Sequence, residues 1–211
     1  MKDDEEYLEQ ESSEDLEEYE LDDDIVEEPA EAIFENGKGY VGSEDADRIS
    51  QQGFYGNRID GNRLELDSVE LLHLLERKRL IVRRPNGETI GPDSIVNELL
   101  DEDPDLWTRY LVFRDLRSRG YAVRQGFGGG IGFRIYARGE KPGVASASQL
   151  VYVLKEGVPI SLSDLDMVTK TAAGSRKKLV FALVDQNGEV NFYRVAQATL
   201  RNRGSDDSEE Q

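Results

Sequence analysis

The feature that most constrains the fold is a pair of alternating apolar runs joined by a glycine-rich link. Residues 121–125 read YAVRQ and residues 133–137 read FRIYA, so that apolar and polar side chains alternate in both runs. The link, GFGGGIG, lets the chain reverse tightly and approach another backbone closely. Because these glycines lead into a second strand and not into a helix, they do not fit a dinucleotide-binding loop. The stretch predicts a β-hairpin.

Helices and strands alternate around this hairpin and predict one α/β domain with a central mixed sheet over residues 106–203. The run KLVFALVD is almost entirely apolar, which is typical of a strand buried on both faces. We expect the helix before it to be capped by Ser163, with Asp166 three residues behind. The predicted elements besides the hairpin are helices over 106–119 and 158–173 and strands over 149–155, 178–185 and 190–196.

A smaller α+β domain is predicted ahead of it, over residues 31–105. Residues 31–62 are punctuated by glycines, which indicates turns and short strands. Asp67 followed by Glu70 three residues later is a capping-box pattern at the start of an amphipathic helix. The other predicted elements are a strand over 64–66, a hairpin over 81–90 and a helix over 94–100. The fold class is therefore α/β (α+β), with the α/β domain second.

Charge is distributed very unevenly along the chain. The net charge of −18 includes −15 from residues 1–30 and −4 from residues 204–211. Residues 31–105 carry −8, whereas residues 106–203 carry +9. We expect both acidic ends to be disordered tails, because they bury too little apolar area to offset chain entropy. A basic domain suits phosphate binding, although an ordinary solvated surface would have the same composition.

Several classes of protein are disfavoured by composition. The chain has no cysteine, which excludes disulfides and thiolate metal sites. It has no run of eighteen apolar residues, and its N-terminus is acidic where a signal peptide is basic. We therefore expect a soluble cytoplasmic protein with no membrane segment, no metal ion and no cofactor.

Five motifs, in order and spacing, resemble the C-terminal nuclease domain of archaeal tRNA-intron endonucleases. They are YLVFRDLRSRGY, FRIYARG, PG at 142–143, LV at 150–151 and RKKLVFALVD. The resemblance implies metal-independent RNA cleavage by a Tyr, a His and a Lys, which leaves 2′,3′-cyclic phosphate and 5′-hydroxyl ends. On this chain the Tyr falls on Tyr136, the Lys on Lys177 and the His on Ser146.

The serine at the histidine position removes the expected general acid. A serine hydroxyl does not titrate near neutral pH as imidazole does, and losing a general acid costs about 10²- to 10⁴-fold in rate. By the resemblance, Tyr136 would be the base and Lys177 would stabilise charge, and we expect both to be inactive here. His73 is the only histidine, and on an amphipathic helix it is expected to be a packing or surface residue.

The resemblance also implies positions for RNA binding and for assembly. An arginine that grips a splayed base in the family is Lys170 here, and lysine lacks the planar guanidinium that stacks on bases. Arg138 and Arg176 are the other expected RNA contacts. Asp185 and Glu189 lie in the sequence VDQNGEV, where the family has an acidic loop that docks in a basic pocket of a neighbouring subunit. A plain hairpin turn is the alternative.

Three functions remain open from the sequence. The first is a structural subunit of the tRNA-splicing endonuclease that excises introns from precursor tRNA, two copies joining two copies of a catalytic subunit. The second is an RNA endonuclease that acts by itself with a displaced acid. The third is a basic RNA-binding module outside splicing. The first is favoured because the assembly features are kept while the general acid is lost.

Overall fold

The computed structural model describes residues 28–128 and 130–198, which contain two five-stranded sheets and five α-helices. The strands, in chain order, are β1 (Ala30–Glu35), β2 (Lys38–Val41), β3 (Asn57–Arg58), β4 (Leu64–Leu66), β5 (Leu80–Arg83), β6 (Val123–Gly128), β7 (Ile131–Ile135), β8 (Gln149–Lys155), β9 (Lys178–Val184) and β10 (Val190–Val195). The helices are α1 (Ser43–Gly53), α2 (Ser68–Glu76), α3 (Pro92–Glu102), α4 (Leu106–Ser118) and α5 (Leu162–Gly174). The two predicted acidic tails lie outside the described residues, except for their border at Glu28–Ala30, where Ala30 already belongs to β1 and is fully buried.

The first sheet has the strand order β3-β4-β2-β1-β5, and only β1 and β5 run parallel. The turn between β1 and β2 consists of Asn36 and Gly37, whose φ angles are 51° and 71°. Two central residues with positive φ are the requirement of a type I′ hairpin turn, and Asn-Gly satisfies it. We call residues 28–105 the N-terminal unit.

Two expectations for the N-terminal unit are confirmed only in part. The region predicted to hold turns and short strands contains β1, β2 and β3, but it also contains the eleven-residue helix α1, which was not predicted. Apart from its last glycine, α1 buries only Ala46 and Ile49 in the core, which are too few to form a recognisable repeat of apolar residues at helical spacing. The predicted hairpin over 81–90 is reduced to β5 and an isolated bridge between Arg83 and Thr89. The capping box on α2 is confirmed, with Asp67 accepting from the Glu70 amide at 2.9 Å and Glu70 accepting from the Asp67 amide at 3.1 Å.

The second sheet has the strand order β10-β9-β8-β7-β6, and only β8 and β9 run parallel. It is the mixed sheet that the sequence predicts, and the parallel pair is joined by the crossover helix α5. Adjacent residues of one strand face opposite sides: Leu150 packs in the cluster of α5, whereas Val151 packs in the cluster of α4. The two helices therefore cover opposite faces, and the α+β fold class is confirmed. We call residues 106–198 the C-terminal unit.

The predicted hairpin β6–β7 is present but shifted: both strands extend into the glycine-rich link, while β6 begins two residues later and β7 ends two residues earlier than predicted. A Cβ atom on Gly126 would lie 1.8 Å from the carbonyl oxygen of Ile131, so only glycine allows the two backbones to approach this closely. Strand β7 ends at Ile135, which leaves Tyr136 just beyond the sheet.

Helix α5 is capped by Ser161 and not by Ser163, which corrects the prediction. The hydroxyl oxygen of Ser161 accepts a hydrogen bond from the Asp164 amide at 3.0 Å. The S-x-x-D pattern occurs twice in SLSDLD, two residues apart, and the structure uses the first copy. Starting the helix at Leu162 adds one more half-turn before the apolar positions that pack against β9.

One continuous apolar cluster spans both units. Helix α2 packs on α4, where the His73 ring meets Phe113 edge-on with centroids 5.5 Å apart, and Phe113 in turn contacts Phe133 of β7. Both aromatic contacts cross from one element to another, so the packing of α4 positions β7. The end of β7 carries the candidate site.

A buried charged contact also joins the units at the edge strand β6. Arg124 donates to the carbonyl oxygen of Gly56 and lies 3.5 Å from the carboxylate of Glu70, which itself accepts from the Gly56 amide at 3.0 Å. Burial and the neighbouring Asp67 raise the pKa of Glu70, and Arg124 opposes that shift. Loss of one partner would leave a buried charge uncompensated. The contact ties the loop after α1 to the C-terminal sheet.

Candidate functional site

The three positions singled out by the resemblance lie at one end of the central strands β7, β8 and β9 of the C-terminal sheet. Tyr136 follows β7, Ser146 lies in the loop before β8, and Lys177 precedes β9. The amine of Lys177 donates a 2.6 Å hydrogen bond to the carbonyl oxygen of Ala147, the residue next to Ser146. The strand pairing therefore brings Lys177 beside the loop that carries Ser146.

Tyr136 is a packed residue. It is 5% exposed and clusters with Ala122, Ala147 and Phe54. Phe54 comes from the N-terminal unit, where it ends α1 in a left-handed conformation with φ of 56°. A long-range contact made by such a residue has no local sequence signal, and sequence reasoning did not find it. Phe54 thereby packs the N-terminal unit against the cluster that contains Tyr136.

Ser146 is exposed, and the only histidine is buried elsewhere. His73 is 5% exposed and its ring packs between Tyr55 and Phe113 in the shared core. Burial, with smaller effects of Arg117 and other cations, lowers the pKa of His73 to about 4. It is therefore neutral at pH 7. Among the described residues no group bonds to its Nδ1. His73 is a packing residue, one of the two roles expected from the sequence.

Basic side chains surround the exposed loop that carries Ser146, and we call this group the basic edge. It consists of Arg138, Lys141, Arg176, Lys177 and Lys178. Four of them are exposed, and Lys177 is half-buried. No ion pair involves any of the five within residues 28–128 and 130–198. The single acid in its loop is Glu140. The edge therefore presents a strong positive charge to solvent.

The three residues predicted to contact RNA differ in their position and in whether their charge is paired. Arg138 lies at the basic edge, with its guanidinium 5.8 Å from the centre of the Tyr121 ring. Arg176 is exposed in the tight turn after α5, with φ of 54°. Lys170 lies one turn earlier on α5 and pairs with Asp166 at 2.7 Å, so its charge is partly neutralised. Sequence reasoning missed Lys141, three residues after Arg138, and Lys178, directly after Lys177; the pairing of β8 with β9 brings these two groups of cations together.

The predicted docking loop lies at the opposite end of β9, roughly 20 Å away at 3.3 Å per residue. The carboxylate of Asp185 accepts from the amides of Asn187 at 2.8 Å and Glu189 at 2.9 Å. Asp185 is thus engaged in holding the turn, whereas the side chain of Glu189 is exposed. A groove of about 600 Å³ separates this turn from α4.

No helix in residues 28–128 and 130–198 is long and apolar enough to cross a membrane. Within the same residues, no three histidine or carboxylate side chains are grouped as they would be around a metal ion.

Comparisons with known proteins agree with the sequence motifs. The family model described as tRNA intron endonuclease, catalytic C-terminal domain, matches residues 106–192. A second model, tRNA intron endonuclease, N-terminal domain, matches residues 30–96.

Individual relatives share about a third of their residues with this chain. A tRNA-splicing endonuclease of Methanothermobacter thermautotrophicus is 35% identical over 150 residues, which are 71% of this chain and 86% of that protein. One of Methanococcus vannielii is 34% identical over 158 residues, 74% of this chain and 88% of that protein. One of Methanococcoides burtonii is 34% identical over 71% of this chain but only 41% of its own length. On these matches, the chain belongs to the tRNA intron endonuclease family.

Proposed function

We propose that this chain is the structural subunit of a tRNA-splicing endonuclease that excises introns from precursor tRNA and leaves 2′,3′-cyclic phosphate and 5′-hydroxyl ends. Two copies join two copies of a catalytic subunit in the cytoplasm. The catalytic subunit supplies the base, the general acid and the group that stabilises charge. This chain holds the complex together and provides part of the RNA-binding surface.

The observation that carries the proposal is the lack of an imidazole at the sheet edge. The family's histidine position holds Ser146, and the only histidine, His73, is locked in the core of the N-terminal unit with a pKa of about 4. A neutral hydroxyl cannot protonate a departing 5′-oxygen at neutral pH as a histidine does. The burial of Tyr136 also supports the proposal, since a general base must reach the 2′-hydroxyl of RNA.

Surface features of the C-terminal unit support a role in assembly. Strand β10 is at the edge of its sheet, so its outer backbone groups have no neighbouring strand among the described residues. Tyr193 on that strand is 54% exposed, as expected of an aromatic residue kept for a partner. Glu189 presents its carboxylate from a hydrogen-bonded turn and is the charge offered to a basic pocket of the neighbouring subunit.

Precursor tRNA contacts the basic edge in this proposal. The cations there lie around an exposed loop and have no protein carboxylate paired with them in the described residues. Each phosphate that such a cation neutralises releases condensed counterions, so RNA binding is expected to weaken steeply with salt. Arg138 and Arg176 are guanidinium groups that can bind phosphate in a bidentate manner.

Cleavage assays of the separate and combined subunits test the proposal. The purified chain alone should cut a precursor tRNA at least about 100-fold more slowly than the complex reconstituted with its catalytic partner, as loss of a general acid implies. Lys177→Ala in this chain should leave cleavage by the complex within a few-fold of the wild type.

One observation favours the second candidate, an RNA endonuclease that acts by itself. Tyr136, Lys177 and the loop of Ser146 still lie together at one edge, joined by the hydrogen bond from Lys177 to Ala147. Efficient cleavage by the isolated chain that is abolished by Lys177→Ala would establish this candidate and overturn the structural role.

A further inference from the structure

The basic edge has a candidate occupant within the same chain. Residues 2–27 contain fifteen acidic residues and one lysine. The basic edge contains five cations and one adjacent carboxylate, Glu140, and none of those cations is paired in the described residues. The two charge clusters are complementary, and each has only one group of the opposite sign in or beside it.

The covalent connection allows the two clusters to meet. Residues 2–27 join the described part of the chain at Glu28, directly before β1. Twenty-six residues can span at most roughly 90 Å at 3.3–3.6 Å each. A folded unit of about 170 residues has a radius of gyration of roughly 15 Å. The segment can therefore reach any surface of the protein, including the basic edge on the far unit.

We infer that the basic edge binds the acidic segment 2–27 of its own chain, which occupies the sites of RNA phosphates and must be displaced by RNA. Because the contact is intramolecular, it needs no free ligand concentration. A short or weakly bound RNA does not displace the segment, whereas a precursor tRNA held by the complex at several places does. The basic edge is thereby selective against nonspecific RNA. The inference rests on the proposed function only for the identity of the competing polyanion.

Carbodiimide cross-linking of the full chain at low salt tests the docking directly. Carboxylates of residues 2–27 should join Lys141 and Lys178, as mapped by mass spectrometry. Lys38, Lys78 and Lys155 lie away from the basic edge and serve as internal controls. Equal cross-linking of all these lysines, or cross-links found only to another subunit of the complex, would overturn the inference.

Equilibrium binding of a nonspecific single-stranded RNA measures the consequence. Two variants are compared with the wild type: a deletion of residues 2–27, and a full-length chain whose acids in 2–27 are changed to Asn and Gln. Both should bind at least about 10-fold more tightly at 50 mM salt, and the difference should vanish near 500 mM because charge interactions are screened. The amide variant keeps the length of the segment, so it separates charge from steric exclusion.

The two measurements are interpreted together. Unchanged RNA affinity in both variants overturns the inference, and so does tighter binding without cross-links to Lys141 or Lys178, since long-range repulsion would then suffice. Adding a peptide of residues 2–27 to the deletion variant should restore the weaker RNA binding in a dose-dependent manner. The cleavage assay of the reconstituted complex tests the proposed function separately, because it does not depend on where the acidic segment lies.

Discussion

The two ends of the C-terminal sheet present different chemistry. At one end, Tyr136 is buried in a small cluster on which Phe54 packs, and Ser146 stands where the family resemblance expects a histidine. At the other end, Glu189 projects from a turn held by the Asp185 carboxylate. The same strand, β9, leads from one end to the other. Under the proposed function, the sheet preserves the positions of a site, while the chemistry of its loop and the packing of a neighbouring unit decide whether that site can act.

The largest effect is expected from truncating Tyr136. If it is a packing residue, Tyr136→Ala should lower the free energy of unfolding by roughly 3–5 kcal/mol, as loss of a buried aromatic ring does. Tyr136→Phe keeps the ring and should change it by less than about 1 kcal/mol, with cleavage by the complex unaffected. Urea unfolding measures the first quantity and a reconstituted cleavage assay the second. Loss of cleavage in the Phe variant with unchanged stability would show instead that the hydroxyl of Tyr136 takes part in the reaction.

The next effect concerns the opposite end. Glu189→Gln should weaken association with the catalytic subunit by roughly 2–5 kcal/mol, the usual cost of breaking one side of a desolvated charge pair. The fold of this chain should be unchanged, because the carboxylate of Glu189 is exposed. Glu156→Gln, on the neighbouring loop, is the matched control, because it removes a charge but keeps an oxygen that can accept from the Gln186 amide. Sedimentation of the mixed subunits measures assembly, and equal weakening by both variants would argue against a specific dock.

The elements that the sequence predicts correctly are those that depend on residues close together in the chain. The capping box of Asp67 and Glu70 and the apolar run at β9 are confirmed because caps and apolar runs depend on neighbouring residues. The mixed sheet follows from the order of such elements. Helix α1 was missed because it buries only two side chains apart from its last glycine, which a pattern of apolar residues cannot reveal.

Long-range contacts explain what was not visible. The packing of Phe54 against the cluster of Tyr136 joins residues from different units, and the grouping of Lys141 with Lys178 depends on the pairing of β8 with β9. Asp185 was expected to be a docking charge, and its two hydrogen bonds to the turn appear only in three dimensions. Residue type and spacing predict which functional groups a site contains. Burial and hydrogen bonding decide which of those groups are accessible from solvent.

A smaller effect tests whether the imidazole of His73 is accessible enough to replace the general acid missing at Ser146. Because the pKa of His73 is lowered from 6.5 to about 4, the unfolded chain binds more protons between these values. Stability should therefore fall as the pH drops from about 6.5 to about 4, by at most roughly 3 kcal/mol from this residue. His73→Phe keeps a ring between Tyr55 and Phe113 and should remove that part of the pH dependence. NMR titration of His73 near 6.5 would instead show an accessible imidazole, and the comparison of the two ends would fail.

The smallest effect separates the two acids of the docking loop. Asp185→Ala removes two side-chain hydrogen bonds that close the turn, so it should cost about 1–2 kcal/mol in unfolding free energy and weaken assembly indirectly. Asp185→Asn keeps an oxygen that accepts from the same amides while it removes the charge. If Asp185 acts by shaping the turn, the Asn variant should retain both stability and assembly, in contrast to Glu189→Gln. Assembly lost equally in Asp185→Asn, with stability retained, would show that the carboxylate of Asp185 itself enters the partner's pocket.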